Sequence, residues 1–452
     1  MTDASETRPL NWLDTGLVLL FMVGIYTHYT VQLSSSVPIP SLPAGLAGLA
    51  LLWRRREQIT AHGLLGLITV VFLYTISILC ADDLAFLGRR FHGLIQITYS
   101  LVIAYALFLT LKGADRDQVA RLFLGIAVVI LVGCLLEEHA GLRPISDAVR
   151  AHIYSSGVYE SDTRDEILYG QVRPKFFASE PSAVTLTYTI CSFVWLMATR
   201  ARYKLPIYLG LIVMGFVAMR GPTLLLMLLL LVPYELFFGG RMSQSGTRID
   251  PGHIARFLAA GVVLAGVAGF LAQTVYSQRL HDITHGDDPS FFYRVMGPIL
   301  AAKTVIAHHP LAGAGLTGEP YVEDEVVNAY VTSPSFSRHW AIASAASELL
   351  INYFWLHWIY LGLFWGSILA AALSLWLRAN GVRRILFCWG VWIILGQASG
   401  AYVGPITWAV FFLAAAGAAL AGQTEQKAPQ PQLPMTPLDL ARWRIASRSG
   451  VR

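Results

Sequence analysis

Residues 173–182 read Arg-Pro-Lys-Phe-Phe-Ala-Ser-Glu-Pro-Ser, so two cations, Arg173 and Lys175, and a carboxylate, Glu180, meet where a polar stretch runs into an apolar helix. Charge at that depth is costly unless it is paired or used, and the run therefore marks a site. Arg220 lies in Ala218-Met219-Arg220-Gly221-Pro222, a very short link between two strongly apolar segments. It can serve there as a snorkelling side chain at headgroup level or as a functional cation. Arg294 opens a stretch that runs through Lys303 to His309-Pro310 and whose apolar positions fit an amphipathic helix lying at a membrane surface. Arg294 either faces water there or faces a ligand.

His339, next to Arg338, has the natural pKa of a proton acceptor, although a solvated loop histidine would look the same. Glu348 and Asn352 fall one turn apart on one face of a predicted helix. His308 and His309 precede a proline, which suggests a helix end. Gly313-Ala314-Gly315-Leu316-Thr317-Gly318 matches GxGxxG but follows a helix-like stretch rather than a strand, so a tight turn is expected and a dinucleotide site is not. Asp82-Asp83 and Glu323-Asp324-Glu325 have no ligands at metal spacing and read as solvated loop charge. No HExxH pattern is present, and neither a metal nor another cofactor is expected.

The elements that must position these residues are apolar. The chain has 452 residues, 55% hydrophobic and only 13% charged, where soluble domains of this size carry about 25% charged residues. Apolar runs of about 17–22 residues separated by short polar links give an all-α polytopic membrane protein. Twelve spans are expected, near 12–32, 39–53, 62–81, 94–111, 122–136, 182–199, 205–219, 222–239, 257–275, 348–376, 384–402 and 404–422. The tenth is long enough to tilt. Residues 1–422 then form one transmembrane domain and 423–452 a basic, Pro-rich cytoplasmic tail touching anionic lipid.

The net charge of +5 tracks topology and does not suggest nucleic acid. With a cytoplasmic N-terminus, each inner link carries three positive residues: Arg54 to Arg56, then Lys112/Arg116/Arg121, Arg200/Arg202/Lys204, Arg241/Arg248/Arg256 and Arg378/Arg383/Arg384. Both termini are therefore expected inside. The first apolar run lacks a cleavable-signal pattern and is expected to stay as a helix. Cys80, Cys134, Cys191 and Cys388 all fall in apolar runs, so no disulfide framework is expected. Two long outer loops, 137–181 and 276–347, carry Arg173, Lys175, Glu180, Arg294, His309 and His339, while no internal repeat of the transporter kind is visible.

Arg173-x-x-x-Phe177-x-x-Glu180-Pro181-Ser182 opening a helix resembles the R…F.EPS signature of bacterial O-antigen and exopolysaccharide polymerases. The Met219-Arg220-Gly221 turn is similar to the SRG turn of the O-antigen ligase and polymerase superfamily. Arg294 through His309-Pro310-Leu311-Ala312-Gly313 resembles the "R … hPl.G.G" stretch of its large periplasmic loop. The resemblance covers residues from about 165 to 366. It departs from the ligases at 343–352, which hold no His-Asn pair; this favours a polymerase and leaves the general base unassigned.

The resemblance implies glycan transfer on the periplasmic face of the inner membrane, from undecaprenyl diphosphate to a lipid-linked repeat unit. It implies Arg220 and Arg294 as clamps for the departing diphosphate, with Arg173 and Lys175 assisting, and Glu180 or His339 as orienting group or base. Glu348, Asn352 and His309 join as substrate-binding candidates. A chain-length regulator and a flippase of the same pathway are the implied partners, with membrane lipid. A ligase acting on lipid A core and a flippase without chemistry are the competing readings.

Overall fold

A computed structural model describes residues 9–34, 37–154, 162–238, 291–334 and 346–427, with isolated positions between 261 and 281. The chain is all-α apart from one small hairpin. Its helices are α1 (Trp12–Thr27), α2 (Leu42–Arg54), α3 (Ala61–Leu79), α4 (Leu87–Lys112), α5 (Arg116–His139), α6 (Arg143–Ile153), α7 (Asp162–Tyr169), α8 (Pro181–Ala198), α9 (Lys204–Met219) and α10 (Leu225–Phe238). After the interval come α11 (Gly297–His308), α12 (Glu323–Val331), α13 (Ala346–Leu349), α14 (Tyr353–Ala379), α15 (Ile385–Gly396) and α16 (Pro405–Lys427). Strands β1 (Val31–Ser34) and β2 (Val37–Ile39) pair antiparallel in the link where the hydropathy reading allowed only a connection.

Among the described residues, six helices are long and apolar enough to cross a membrane: α3, α4, α5, α8, α14 and the first part of α16. Five shorter apolar segments accompany them. This marks a membrane-embedded protein, because runs such as Leu64, Leu65, Ile68 and Phe72 on α3 stay exposed and only lipid tolerates such a surface. The layering follows the sequence. α8 is 94% buried over its apolar window and α16 83%, whereas α3 is only 28% buried. A helix apolar all round belongs in the centre, and α8 sits there against α5, α9, α16 and α1.

Caps explain where the helices start. Asn11 accepts the Asp14 amide at 2.8 Å, Thr60 the Gly63 amide at 3.0 Å, and Asp115 the amides of Asp117 and Gln118. Arg116 donates to the carbonyls of Met197, Ala198 and Thr199, answering the orphaned carbonyls at the end of α8. Asp14 in the first turn of α1 is gripped by Arg54 and Arg55, both at 2.7 Å.

Eleven of the predicted spans overlap helices, with some ends well displaced: α4 starts at Leu87 rather than 94, α5 at Arg116 rather than 122, and α15 ends at Gly396 rather than 402. The span at 257–275 lies outside the described residues. The tenth is not one helix from 348: α13 ends at Leu349, Asn352 is extended (φ −139°, ψ 108°), and α14 starts at Tyr353. Glu348 and Asn352 therefore do not share a face of one continuous helix, as their spacing had suggested. α14 is itself broken at Gly362 (φ 63°, ψ −173°).

That break is filled by the glycine-rich loop after α11. Ala314 N–H donates to Ile359 O at 2.8 Å, and Leu363 N–H donates to Pro310 O at 2.7 Å. Irregular backbone inside a span needs protein partners, and the loop supplies them. Gly313 and Gly362 permit the approach, since a Cβ on Gly313 would come 2.3 Å from Ile359 O. α11 packs its small face, Gly297, Ala301 and Ala302 among it, against α12 and α14.

Candidate functional site

The run at 173–180 is a sewn-down loop. Its first residues follow α7, which ends on Tyr169 with Gly170 in the left-handed region (φ 72°) as helices commonly end. Arg173 is buried, with Nε 3.0 Å and Nη2 2.8 Å from Asp165 Oδ1, and its guanidinium lies 4.4 Å over the Tyr169 ring. Asp165 is fully buried. Lys175 is buried as well, with Nζ 2.9 Å from Asp162 Oδ1. The two cations that the sequence offers to a ligand are thus paired inside α7 and its loop, and the depth at which they sit requires it.

The loop backbone then makes a strained turn. Phe176 and Phe177 both have positive φ, 33° and 64°, which bulky residues adopt only when the surroundings hold them. The holders are identifiable. Glu137 of α5 accepts the amides of Lys175 and Phe176, and Ser146 accepts Phe177 N–H at 3.0 Å. Tyr26 donates to Phe176 O, and Tyr154 donates to both Phe177 O and Thr27 O. Arg150 of α6, itself buried, donates to Ala178 O and Ser179 O and pairs with Asp147. The Phe176 ring lies where any side chain at Gly133 would be, one turn before Glu137.

This scaffold presents Glu180 at the start of α8. Glu180 is extended and exposed, followed by Pro181 at the first helical position, and its carboxylate accepts from the Ser182 hydroxyl. Arg220 lies on the turn after α9 that packs against α8. It caps α9 in the left-handed region (φ 43°), and Gly221 beside it packs on Thr185, one turn into α8 from Pro181. Arg220 Nη1 donates to Tyr169 O at 2.7 Å. Among the described residues no protein acceptor meets its other guanidinium nitrogens. Arg173, Lys175, Glu180 and Arg220 thus share one neighbourhood in which Arg173 and Lys175 are neutralised and Arg220 keeps half of its fork available.

Arg294 belongs to a different set. It sits in a π-helical turn, Phe292–Met296, at the head of α11. Such turns mark functional positions more often than chance. Asn352 is fully buried and donates to Arg294 O at 2.8 Å and to Gln397 Oε1 at 2.7 Å. Its own oxygen caps α14 through Phe354 N–H and Trp355 N–H. Asn352 is therefore a hinge pin joining Arg294, α14 and α15 rather than a residue facing a ligand. Glu348 lies on α13, and His339 lies outside the described residues.

His309 forms a third cluster. Its Nδ1 is 2.7 Å from Asp82 Oδ2 and its Nε2 3.2 Å from Glu325 Oε1, while His308 Nδ1 is 3.1 Å from Glu325 Oε2. Asp82 and Glu325 are thus histidine partners, not the solvated loop charge that their sequence neighbourhoods suggested. Arg89 and Arg90 anchor the adjoining glycine loop: Arg89 donates to Thr317 O and pairs with Glu319, and Arg90, fully buried, donates to Ala314 O and Asp83 O.

A buried polar chain in the middle of the bundle also escaped the sequence reading. Trans-membrane histidine is rare, yet His357 of α14 is buried with Nε2 on Gly366 O (3.0 Å) and Nδ1 by Tyr402 OH (2.8 Å). A carbonyl only accepts, so Nε2 holds the hydrogen, Tyr402 donates to Nδ1, and Tyr74 donates to Tyr402. The proline-free apolar stretch around it gave one usable signal, the lone histidine itself.

No protein-family model, curated protein or solved structure matches this chain. The chemistry of the site has to stand on its own geometry. A guanidinium with donors to spare is held on the end of α7, and a solvent-facing carboxylate opens α8, against which the Arg220–Gly221 turn packs. That set can hold a phosphorylated group and move a proton beside it.

Proposed function

We propose that this chain is a polymerase of bacterial surface or secreted polysaccharide in the inner membrane. It would transfer a growing glycan from undecaprenyl diphosphate to a lipid-linked repeat unit, with its site on the periplasmic side. The supporting observation is the placement of Arg220 where α7, α8 and α9 meet: its guanidinium, with unused donors, is held by Tyr169 O, and Gly221 beside it packs on Thr185, one turn into the central helix that Glu180 opens. The topology that goes with this reading has twelve spans, both ends in the cytoplasm, and α6, α7, α11 and α12 in the periplasmic loops.

In the proposed reaction a sugar hydroxyl oxygen of the acceptor attacks the anomeric carbon. The bond from that carbon to the phosphate oxygen breaks, its electron pair leaves with the diphosphate, and the hydroxyl proton passes to a base. A single displacement inverts the anomeric centre. Arg220 stabilises the charge that develops on the departing diphosphate, an interaction that needs no rearrangement once the fork is in place. Arg294, on its π-turn, is the second clamp. Arg173 and Lys175 act one step back, by fixing the loop that carries Glu180, because their own charges are taken by Asp165 and Asp162.

Deletion followed by analysis of surface glycan and lipid carriers tests the reading. Single repeats attached normally support a polymerase. Full-length chains stranded on the carrier indicate a ligase, and repeats accumulating on the cytoplasmic side indicate a flippase. Arg220→Lys should lower chain extension about 10²–10³-fold, the usual effect of losing one preorganised donor, without changing the amount of protein in the membrane.

A further inference from the structure

On that reading, we propose that His28 is the general base: its Nε2 takes the proton of the acceptor hydroxyl as the new glycosidic bond forms. His28 follows α1 and was not singled out by its sequence context. Its Nε2 is buried and has no hydrogen-bond partner among the described residues, whereas buried polar atoms nearly always have one. An unanswered nitrogen of this kind marks a place where a donor is missing.

The position of the ring is enforced. His28 caps α1 in the left-handed region (φ 52°, ψ 25°), its N–H on Gly24 O at 3.1 Å. Glycine or asparagine fits that conformation at less cost, so the imidazole is held there against a backbone preference. The last turn of α1 is bolted to the loop that carries Glu180. Tyr26 donates to Phe176 O, and the Tyr154 hydroxyl bridges Thr27 O and Phe177 O at 2.9 and 3.0 Å. His28 and the site are therefore one rigid piece.

Burial pushes the imidazole pKa below its ordinary value, and the nearby Glu180 carboxylate opposes this in part. The ring is neutral at physiological pH and its nitrogen can accept a proton. Among the described residues, the other ionisable groups around this end of α1 include Tyr154, which caps α6, Arg150 of α6, Glu137 of α5 and Tyr26. Arg150 and Glu137 are occupied by the loop backbone, and burial pushes Tyr154 up to about 12, so none of these competes as a base. In the step itself, the acceptor O–H bond breaks toward Nε2 while the oxygen bonds the anomeric carbon. The diphosphate leaves with the electron pair of the old bond, and the imidazolium later loses its proton to water.

The test uses the full chain in vesicles, with lipid-linked repeat units extracted from the deletion strain as substrate. His28→Asn and His28→Gly both suit the left-handed backbone and should keep the wild-type melting temperature. Each should lose about 10²–10⁴-fold in transfer rate, the range of a positioned base. The acidic limb of the wild-type kcat/KM profile, which falls as pH drops through the lowered imidazole pKa, should vanish in His28→Asn, and added imidazole should restore part of the rate in His28→Gly. A His28→Asn protein within a few-fold of wild type, or one that keeps the acidic limb, overturns the assignment. If Arg220→Lys abolishes transfer and His28→Asn does not, only the base is wrong. If neither the wild type nor any variant transfers glycan, the polymerase reading falls and His28 falls with it.

Discussion

The residues around 173–180 show how strongly a charge in an apolar setting depends on its partner. Arg173 and Asp165 are both buried and bonded through two guanidinium nitrogens. Breaking a buried charge pair by removing one member costs about 3–5 kcal/mol, whereas replacing both by apolar residues is often neutral. Asp165→Asn should therefore lower the thermal midpoint of the detergent-solubilised protein by several degrees, and Asp165→Leu combined with Arg173→Met should recover most of it. A midpoint unchanged in Asp165→Asn would show that the pair contributes nothing. Glu137 predicts a different outcome. It answers two loop amides, so Glu137→Gln should retain one hydrogen bond and disturb Glu180 presentation more than global stability, which under the proposed function reads as lost chain extension at a nearly normal melting temperature.

At the scale of elements, the break in α14 is the decisive feature. Gly362 has a backbone conformation closed to other residues, and a Cβ there would lie 2.7 Å from Pro310 O and 2.8 Å from Gly313 N. Gly362→Ala would either expel the loop at 310–318 or straighten α14, and both outcomes leave backbone groups without partners in an apolar interior. We expect a loss of more than about 2 kcal/mol, large against the few kcal/mol by which membrane helices associate, and read as aggregation or poor yield. Gly313→Ala should behave alike, because the clash is with Ile359 O on the facing side of the same junction. Substitution at Gly141, which has positive φ but open space around it, should cost less and serves as the control.

For the molecule as a whole, orientation is the property that the proposed function most needs. Cys80 caps α3 and is exposed, while Cys134, Cys191 and Cys388 are buried. In the proposed topology, with the N-terminus in the cytoplasm, α3 would run outward and Cys80 would face the periplasm. A membrane-impermeant maleimide added to intact spheroplasts should label Cys80, and Cys80→Ser should abolish the labelling. Labelling that requires inside-out vesicles would reverse the proposed topology and place Arg220 and Glu180 on the wrong side for the proposed periplasmic donor.

Much of this architecture is legible in the chain because lipid imposes a single-residue rule: a long apolar run must be a helix, since its backbone has no other partner. The boundaries of α3, α8 and α9 and the turn at Arg220 follow from that rule and from local chemistry. The charges of residues 173–182 and the short link at 219–221 single out in the sequence two segments that both adjoin α8. The rule says nothing about which charges pair. Asp165 with Arg173, Asp162 with Lys175, and Asp82 and Glu325 with His309 are chosen by how α7, α3, α11 and α12 dock, at sequence separations that no local pattern reports. The same holds for Gly362 and the loop at Pro310, and for the empty nitrogen of His28. Solvent preference is a property of each side chain and survives in the sequence, whereas partner choice is a property of distance and exists only once the helices have packed.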